Sequence, residues 1–188
     1  MKINAAKITR IALSTAFIAI GAQIAIPATP AFTLQTLCIF ITAVILKPAE
    51  AGIASLIYIL LGAAGVPVFS SFSGGIGIIL SVGGGVIISF PFAATAVSLM
   101  AHRFRGSAFT HAFSFTVGTL VSYLFGALWI HFMGYYDGGF GKMLTVYVLP
   151  FIPFDAVKIA LATICAIKLE KTFKHDKQRS ADNKAQKD

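Results

Sequence analysis

Long apolar runs alternate along the chain with short clusters of proline, glycine and charge. A bilayer core roughly 30 Å thick requires about 20 apolar helical residues, somewhat fewer where flanking side chains snorkel. That ruler divides the sequence into spans at 8–26, 34–46, 50–64, 83–101, 107–133 and 152–170. The second and third are short, and are expected to thin the bilayer locally, tilt little or be shielded by other helices. Breakers fill the gaps: Pro27 and Pro30, Pro48, Gly65 with Pro67, the glycine-rich stretch 74–85, Gly138 to Gly141, and Pro150 with Pro153. The pattern predicts an all-α integral membrane protein, a six-transmembrane-helix bundle over residues 1–170. Residues 171–188 are polar and charged with almost no apolar surface to bury, and are expected to form a tail that is disordered or only partly helical.

Composition agrees with the pattern. Of 188 residues, 57% are hydrophobic and 12% charged, and the mean hydropathy of +0.84 exceeds what a water-soluble domain can hide. The net charge of +8 raises the question of nucleic acid, which the placement of the charges answers. They sit at the ends of apolar runs and in the tail, and no basic stripe is interleaved with stacking aromatics. The lipid bilayer, not nucleic acid, is the expected environment. Six spans put both termini on one side, which then holds every Lys and Arg except Lys142, on the opposite side, and Lys158, inside the last span. By the positive-inside rule both termini are cytoplasmic and the protein is a multi-pass component of the cell membrane. The first span also reads as a signal peptide, but removing it would leave five spans and spoil this asymmetry. Cys38 and Cys165 lack CxxC partners, so no metal site or disulfide framework is indicated. No inverted repeat relates the halves, which argues against an autonomous secondary transporter.

Asp155 and Lys158 stand three positions apart, on nearly one face of the last helix. Each charge near the bilayer centre costs roughly 2.5–3.5 kcal/mol on insertion scales, reduced by pairing and by a shallower depth. With Pro153 in the first turn, Asp155 lies near the helix N-terminus, where a carboxylate is favoured. Two readings stand: mutual neutralisation that helps helices associate, or a binding site. An acceptor beside a donor suits a neutral ligand carrying N–H groups and a carbonyl, such as a cyclic urea or amide.

Other candidates surround this pair in the predicted outer loops. The turn-rich, uncharged stretch 65–77 reads as an apolar lid or re-entrant loop in which Phe69 and Phe72 would cover a ligand, or as a loop packed on helix ends. Gly83, Gly84 and Gly85 would let backbone approach a ligand, without forming a nucleotide-binding fingerprint. Gln35 and Thr36 either complete a polar pocket or bond local backbone behind a Thr33 cap. Ala12 and Ala16 form a small-residue face on the first span that Ala19 and Gln23 continue, a pattern that favours close helix contact. Trp129, Tyr135 and Tyr136 read as an interfacial belt. The histidines are dispersed and no HExxH, GxSxG or paired-carboxylate arrangement occurs, so a catalytic site is not predicted.

The chain resembles the BioY family, the biotin-specific substrate-binding S components of energy-coupling-factor (ECF) transporters. The likeness rests on Gly21-Ala-Gln-Ile-Ala-Ile-Pro, Phe32-Thr-Leu-Gln-Thr-Leu, Leu61-Gly-Ala-Ala-Gly-Val-Pro-Val-Phe and Phe72-Ser-Gly-Gly. It continues through Ser122-Tyr-Leu-Phe-Gly-Ala-Leu-Trp, which contains Tyr123, and Leu149-Pro-Phe-Ile-Pro-Phe-Asp-Ala-Val-Lys. The resemblance implies a six-helix S-component fold, external capture of biotin, and cytoplasmic release after coupling to a T component and two ATP-binding subunits. ATP would be used by those partners, since this chain has no ATPase motif and no cofactor of its own is implied. Asp155 and Lys158 match the Asp-x-x-Lys positions whose side chains hydrogen-bond the ureido ring. Gln35, Thr36, Phe69, Phe72, Ser81, Gly84 and Tyr123 complete the expected binding set, and Ala12 and Ala16 match the alanine motif that faces the T component. One stretch departs: the family often has Pro-Thr-Gly-Gly-Tyr where this chain has Ser81-Val-Gly-Gly-Gly-Val, leaving Ser81 or the backbone at Gly83 to Gly85 to replace lost polar contacts. An S component for another small vitamin or cyclic amide, a small membrane enzyme and a purely structural membrane protein are the competing readings.

Overall fold

The computed structural model describes residues 4–26, 32–104 and 107–185. Each apolar span coincides with a helix: α1 (Ala5–Gln23), α2 (Gln35–Ile45), α3 (Pro48–Ala63), α5 (Gly84–Arg103), α6 (Ala108–Phe132) and α8 (Ile152–Ala185). Four stretches are long and apolar enough to cross a membrane, while α2 and α3 are shorter apolar helices. Local chemistry sets several starts. The Asn4 side chain accepts from the Ala6 N–H at 3.1 Å, Ser107 accepts from the Phe109 N–H at 3.2 Å, and Pro48 opens α3 where its missing N–H costs nothing.

Large apolar side chains such as Leu13, Leu60, Leu120 and Val157 point outward, whereas the interior is rich in small residues, with Ala22, Ala43, Ala51, Ala54, Ala94 and Ala162 fully buried. This inversion suits lipid, where close packing and polar contacts between helices replace hydrophobic burial as the source of association. Helix α5 is the hub and packs on α2, α3 and α6. It meets α3 where Gly52 faces the Thr95 hydroxyl, α6 through a 2.9 Å bond between the Ser89 and Ser122 hydroxyls, and α2 through Ser98 Oγ, which donates to the Leu46 carbonyl at 2.7 Å. Such bonds are each worth about 0.6 kcal/mol in a membrane.

The two ends of the bundle differ. Where α1, α3 and α6 begin, Lys7 pairs with Glu50 at 3.6 Å and buried His111 lies 3.4 Å from Glu170. The opposite end carries elements that the hydrophobic pattern did not reveal: a hairpin of β1 (Ala25–Ile26) with β2 (Phe32–Thr33), a tight turn at Ser70–Phe72, and short helices α4 (Ile76–Ile79) and α7 (Phe140–Tyr147). The tail also departs from expectation, because α8 continues unbroken to Ala185. Ala, Lys and Gln propagate a helix by intrinsic preference, so a chain with nothing to bury still extends one already nucleated in the bundle.

Candidate functional site

A cavity of about 740 Å³ opens at the end of the bundle opposite the Lys7–Glu50 pair. Helices α2, α6 and α8 build one wall, and the segments around Ser70 to Ser73 and Ser81 to Gly83 the other. Pro153 is the second residue of α8, so Asp155 falls in the first turn with the helix N-terminus behind it. One turn on, Lys158 Nζ lies 2.7 Å from Asp155 Oδ1. Both residues are buried and both line the cavity. The Tyr123 hydroxyl of α6 donates to Asp155 Oδ2 at 2.5 Å, and Lys158 donates to Thr36 Oγ1 of α2 at 3.2 Å. Three helices are thereby tied together by four polar groups, and the pair carries no net charge.

This arrangement leaves capacity unused. A carboxylate offers about four acceptor directions and an ammonium about three donors; Asp155 accepts from Lys158 and Tyr123, and Lys158 donates to Asp155 and Thr36, so acceptor capacity and one donor remain free. Asp155 can accept from a ligand N–H and Lys158 can donate to a ligand carbonyl without either leaving its partner. Aromatic rings form the adjacent rim: Phe32 lies 4.4 Å, between ring centroids, from both Phe151 and Phe154, and Phe151 faces the cavity.

Gln35, Thr36, Ser81 and Tyr123 all line the cavity with the charged pair. Thr33 caps α2 through a 3.3 Å bond from the Gln35 N–H. The Gln35 side chain, however, bonds the Tyr58 hydroxyl at 2.9 Å and not local backbone, and Thr36 meets Lys158. Three expected members lie elsewhere. Phe69 is buried in the core, its ring so close over Gly62 that a Cβ there would lie 2.1 Å from it. Its ring packs against α3 and does not line the cavity. The Phe72 ring is 72% exposed and turned outward. Gly84 serves packing: a Cβ would sit 1.6 Å from the Ile79 carbonyl oxygen, so Gly83 and not Gly84 borders the cavity.

Sequence reasoning missed two sets of supporting residues. Trp129 and Tyr135, which the sequence presents as part of an interfacial belt, also hold a loop: Trp129 Nε1 donates to the Ser81 carbonyl at 3.0 Å and the Tyr135 hydroxyl donates to the Leu80 carbonyl. They fasten the loop that carries Ser81. Gln23 and Tyr58 bond the segment around Val68 and Phe69. The signal for them in the sequence is an amide and a phenol among apolar neighbours. Among the described residues no cluster of His, Cys, Asp and Glu is suited to a metal ion.

A second concavity, of about 550 Å³ and almost wholly apolar, runs along the outside of α1 and α3. Ala12 and Ala16 are exposed on its floor, flanked by Ile8, Ile53, Ile57 and Leu61. The alanines face outward, away from the charged cavity.

Fold and site together define an apolar helical protein that encloses a charge-paired cavity of small-molecule size at one end of its bundle. The chain belongs to the BioY family, which it matches over residues 1–175. It is 38% identical to a probable biotin transporter BioY of Pyrococcus horikoshii over 169 residues, which is 89% of this chain and 98% of that protein. It is 34% identical to the biotin transporter BioY of Thermotoga maritima, over 84% of this chain and 91% of that one. The biotin transporter BioY2 of Lactococcus lactis is 32% identical, over 89% and 92% respectively. The crystal structure of an S-component for biotin from an ECF-type ABC transporter superposes with a TM-score of 0.81, covering 90% of this chain and 95% of that one. At 23% identity that likeness establishes a common fold.

Proposed function

We propose that this chain is a six-span membrane S component that captures biotin from the external side and delivers it inward when coupled to a T component and two ATP-binding subunits. The observation that carries the reading is the buried Asp155–Lys158 pair, held by Tyr123 and Thr36 in a cavity at the bundle end remote from most of the basic residues. Biotin's ureido ring supplies N–H groups for Asp155 and a carbonyl for Lys158, the complement that the pair requires. The relatives' names as biotin transporters point to the same ligand. The positive-inside rule puts Lys7, Lys47, Arg103 and Lys168 on the cytoplasmic side, with both termini, and therefore opens the cavity outward. The groove over Ala12 and Ala16 is the surface offered to the T component, since small side chains admit a second helix closely.

The test is equilibrium binding of biotin to the purified chain, with a panel of other vitamins as competitors. Saturable biotin binding that no other vitamin displaces is expected. Displacement by a different vitamin would instead favour the second reading, an S component with altered ligand choice, to which the divergent stretch 81–86 points.

A further inference from the structure

We propose that Gln23 is a positioning residue that fastens a strap, residues 66–75, over the cavity, and that this fastening limits the escape of a bound ligand. Gln23 ends α1, and its amide works on both sides. Nε2 donates to the carbonyls of Val68 at 3.2 Å and Phe69 at 3.0 Å, while Oε1 accepts the Phe72 N–H at 2.8 Å. One side chain therefore grips the strap both before its crest and at it.

The crest requires such a grip. Ser71 and Phe72 stand at φ 57° and 53°, two successive non-glycine residues in the left-handed region, a conformation that persists only where the surroundings enforce it. Packing does not enforce it here, because the Phe72 ring is turned outward. The two ends of the strap are anchored differently. Phe69 is wedged over Gly62 and against Tyr58, and the Gly75 N–H bonds the Gly62 carbonyl at 2.7 Å. Between those anchors, the bond from outside the strap that reaches the crest, among the described residues, is the one to Gln23. Ser70, Ser71 and Ser73 line the cavity with the charged pair, whereas the adjoining Phe72 is exposed and does not line it. The crest is thus a single layer of chain between the cavity and the exterior. Releasing it opens that wall without disturbing a helix.

The kinetic part of this proposal rests on the biotin reading; the fastening itself does not. Two variants test both. Gln23→Met keeps the bulk and removes all three bonds to the strap, and Gln23→Asn is one methylene too short to bridge both sides. Amide hydrogen exchange of the purified, ligand-free protein in detergent is expected to rise about tenfold within 66–75, with α5 and α6 unchanged. Biotin dissociation is expected to quicken by about the same factor. Unchanged exchange at 66–75 in a folded variant overturns the fastening, whether or not biotin binds. Faster exchange with an unaltered dissociation rate overturns the strap as the barrier to escape. A wild-type protein that binds no biotin refutes the ligand assignment alone, and the exchange measurement still decides the role of Gln23.

Discussion

Removing one or both charges of the Asp155–Lys158 pair separates its two possible uses. In Asp155→Asn the buried ammonium loses its counter-charge and keeps only neutral acceptors, the new amide oxygen and Thr36 at 3.2 Å; in Lys158→Met the carboxylate keeps Tyr123 at 2.5 Å. Stripping one partner from a buried pair costs about 3–5 kcal/mol, and the short bond from Tyr123 that the carboxylate retains puts Lys158→Met at the lower end. For a chain of this size that corresponds to a fall of roughly 6–20 °C in melting temperature. The double variant has no orphaned charge, and replacement of a buried pair by neutral groups is often neutral, so its melting should return to within about 1 kcal/mol of the wild type. Binding follows a different pattern. Each charged hydrogen bond lost to the ligand is worth about 1.5–3 kcal/mol, or roughly 10–150-fold in Kd, and the double variant recovers none of it. Thermal unfolding in detergent and equilibrium biotin binding on the same preparations read the two quantities. A double variant that binds biotin like the wild type would refute the assignment, and one that does so while melting well below the wild type would leave the pair as a device for helix association.

Tyr123→Phe removes the 2.5 Å donor to Asp155 and should weaken biotin binding about tenfold, measured by titration, with little change in melting. Gly84→Ala forces a methyl group to within 1.6 Å of the Ile79 carbonyl, so the variant should lose roughly 1–3 kcal/mol of stability in thermal unfolding. Ala16→Leu fills the outer groove and should abolish co-purification with the T component while leaving biotin binding by the isolated chain intact. Single cysteines placed at Lys47 and Lys142 should react with a membrane-impermeant maleimide in intact cells only at Lys142, which checks the orientation.

The helices were legible because lipid demands continuous apolar length, and breakers mark where that length ends. Residues 107–133, for instance, became α6 at Ala108–Phe132. The charged pair was legible for the related reason that ionised groups inside apolar runs are costly. The loops at the cavity end were not, since β1 and β2 are two-residue strands that pair only with each other, and the end of α4 and the 70–72 turn are held by side chains distant in sequence, such as Gln23 at Phe72. Phe69 illustrates the limit: hydropathy marks it as apolar, and only the absence of a side chain at Gly62 decides that it sinks into the core. Gly83 and Gly84 are likewise indistinguishable until the Ile79 carbonyl is known to lie against one of them.

The neutrality of the Asp155–Lys158 pair has an electrical consequence. Displacing one elementary charge across the membrane takes about 2.3 kcal/mol per 100 mV. An empty site whose two charges cancel can change its exposure from one face to the other with no work done by the pair against that field. In the proposed inward delivery, a cavity that holds an anionic carboxylate carries one uncompensated negative charge against a negative-inside potential. In the proposed cycle the pair's share of the electrical load thus falls on the ligand-bound stroke, and its empty return does no work against the field.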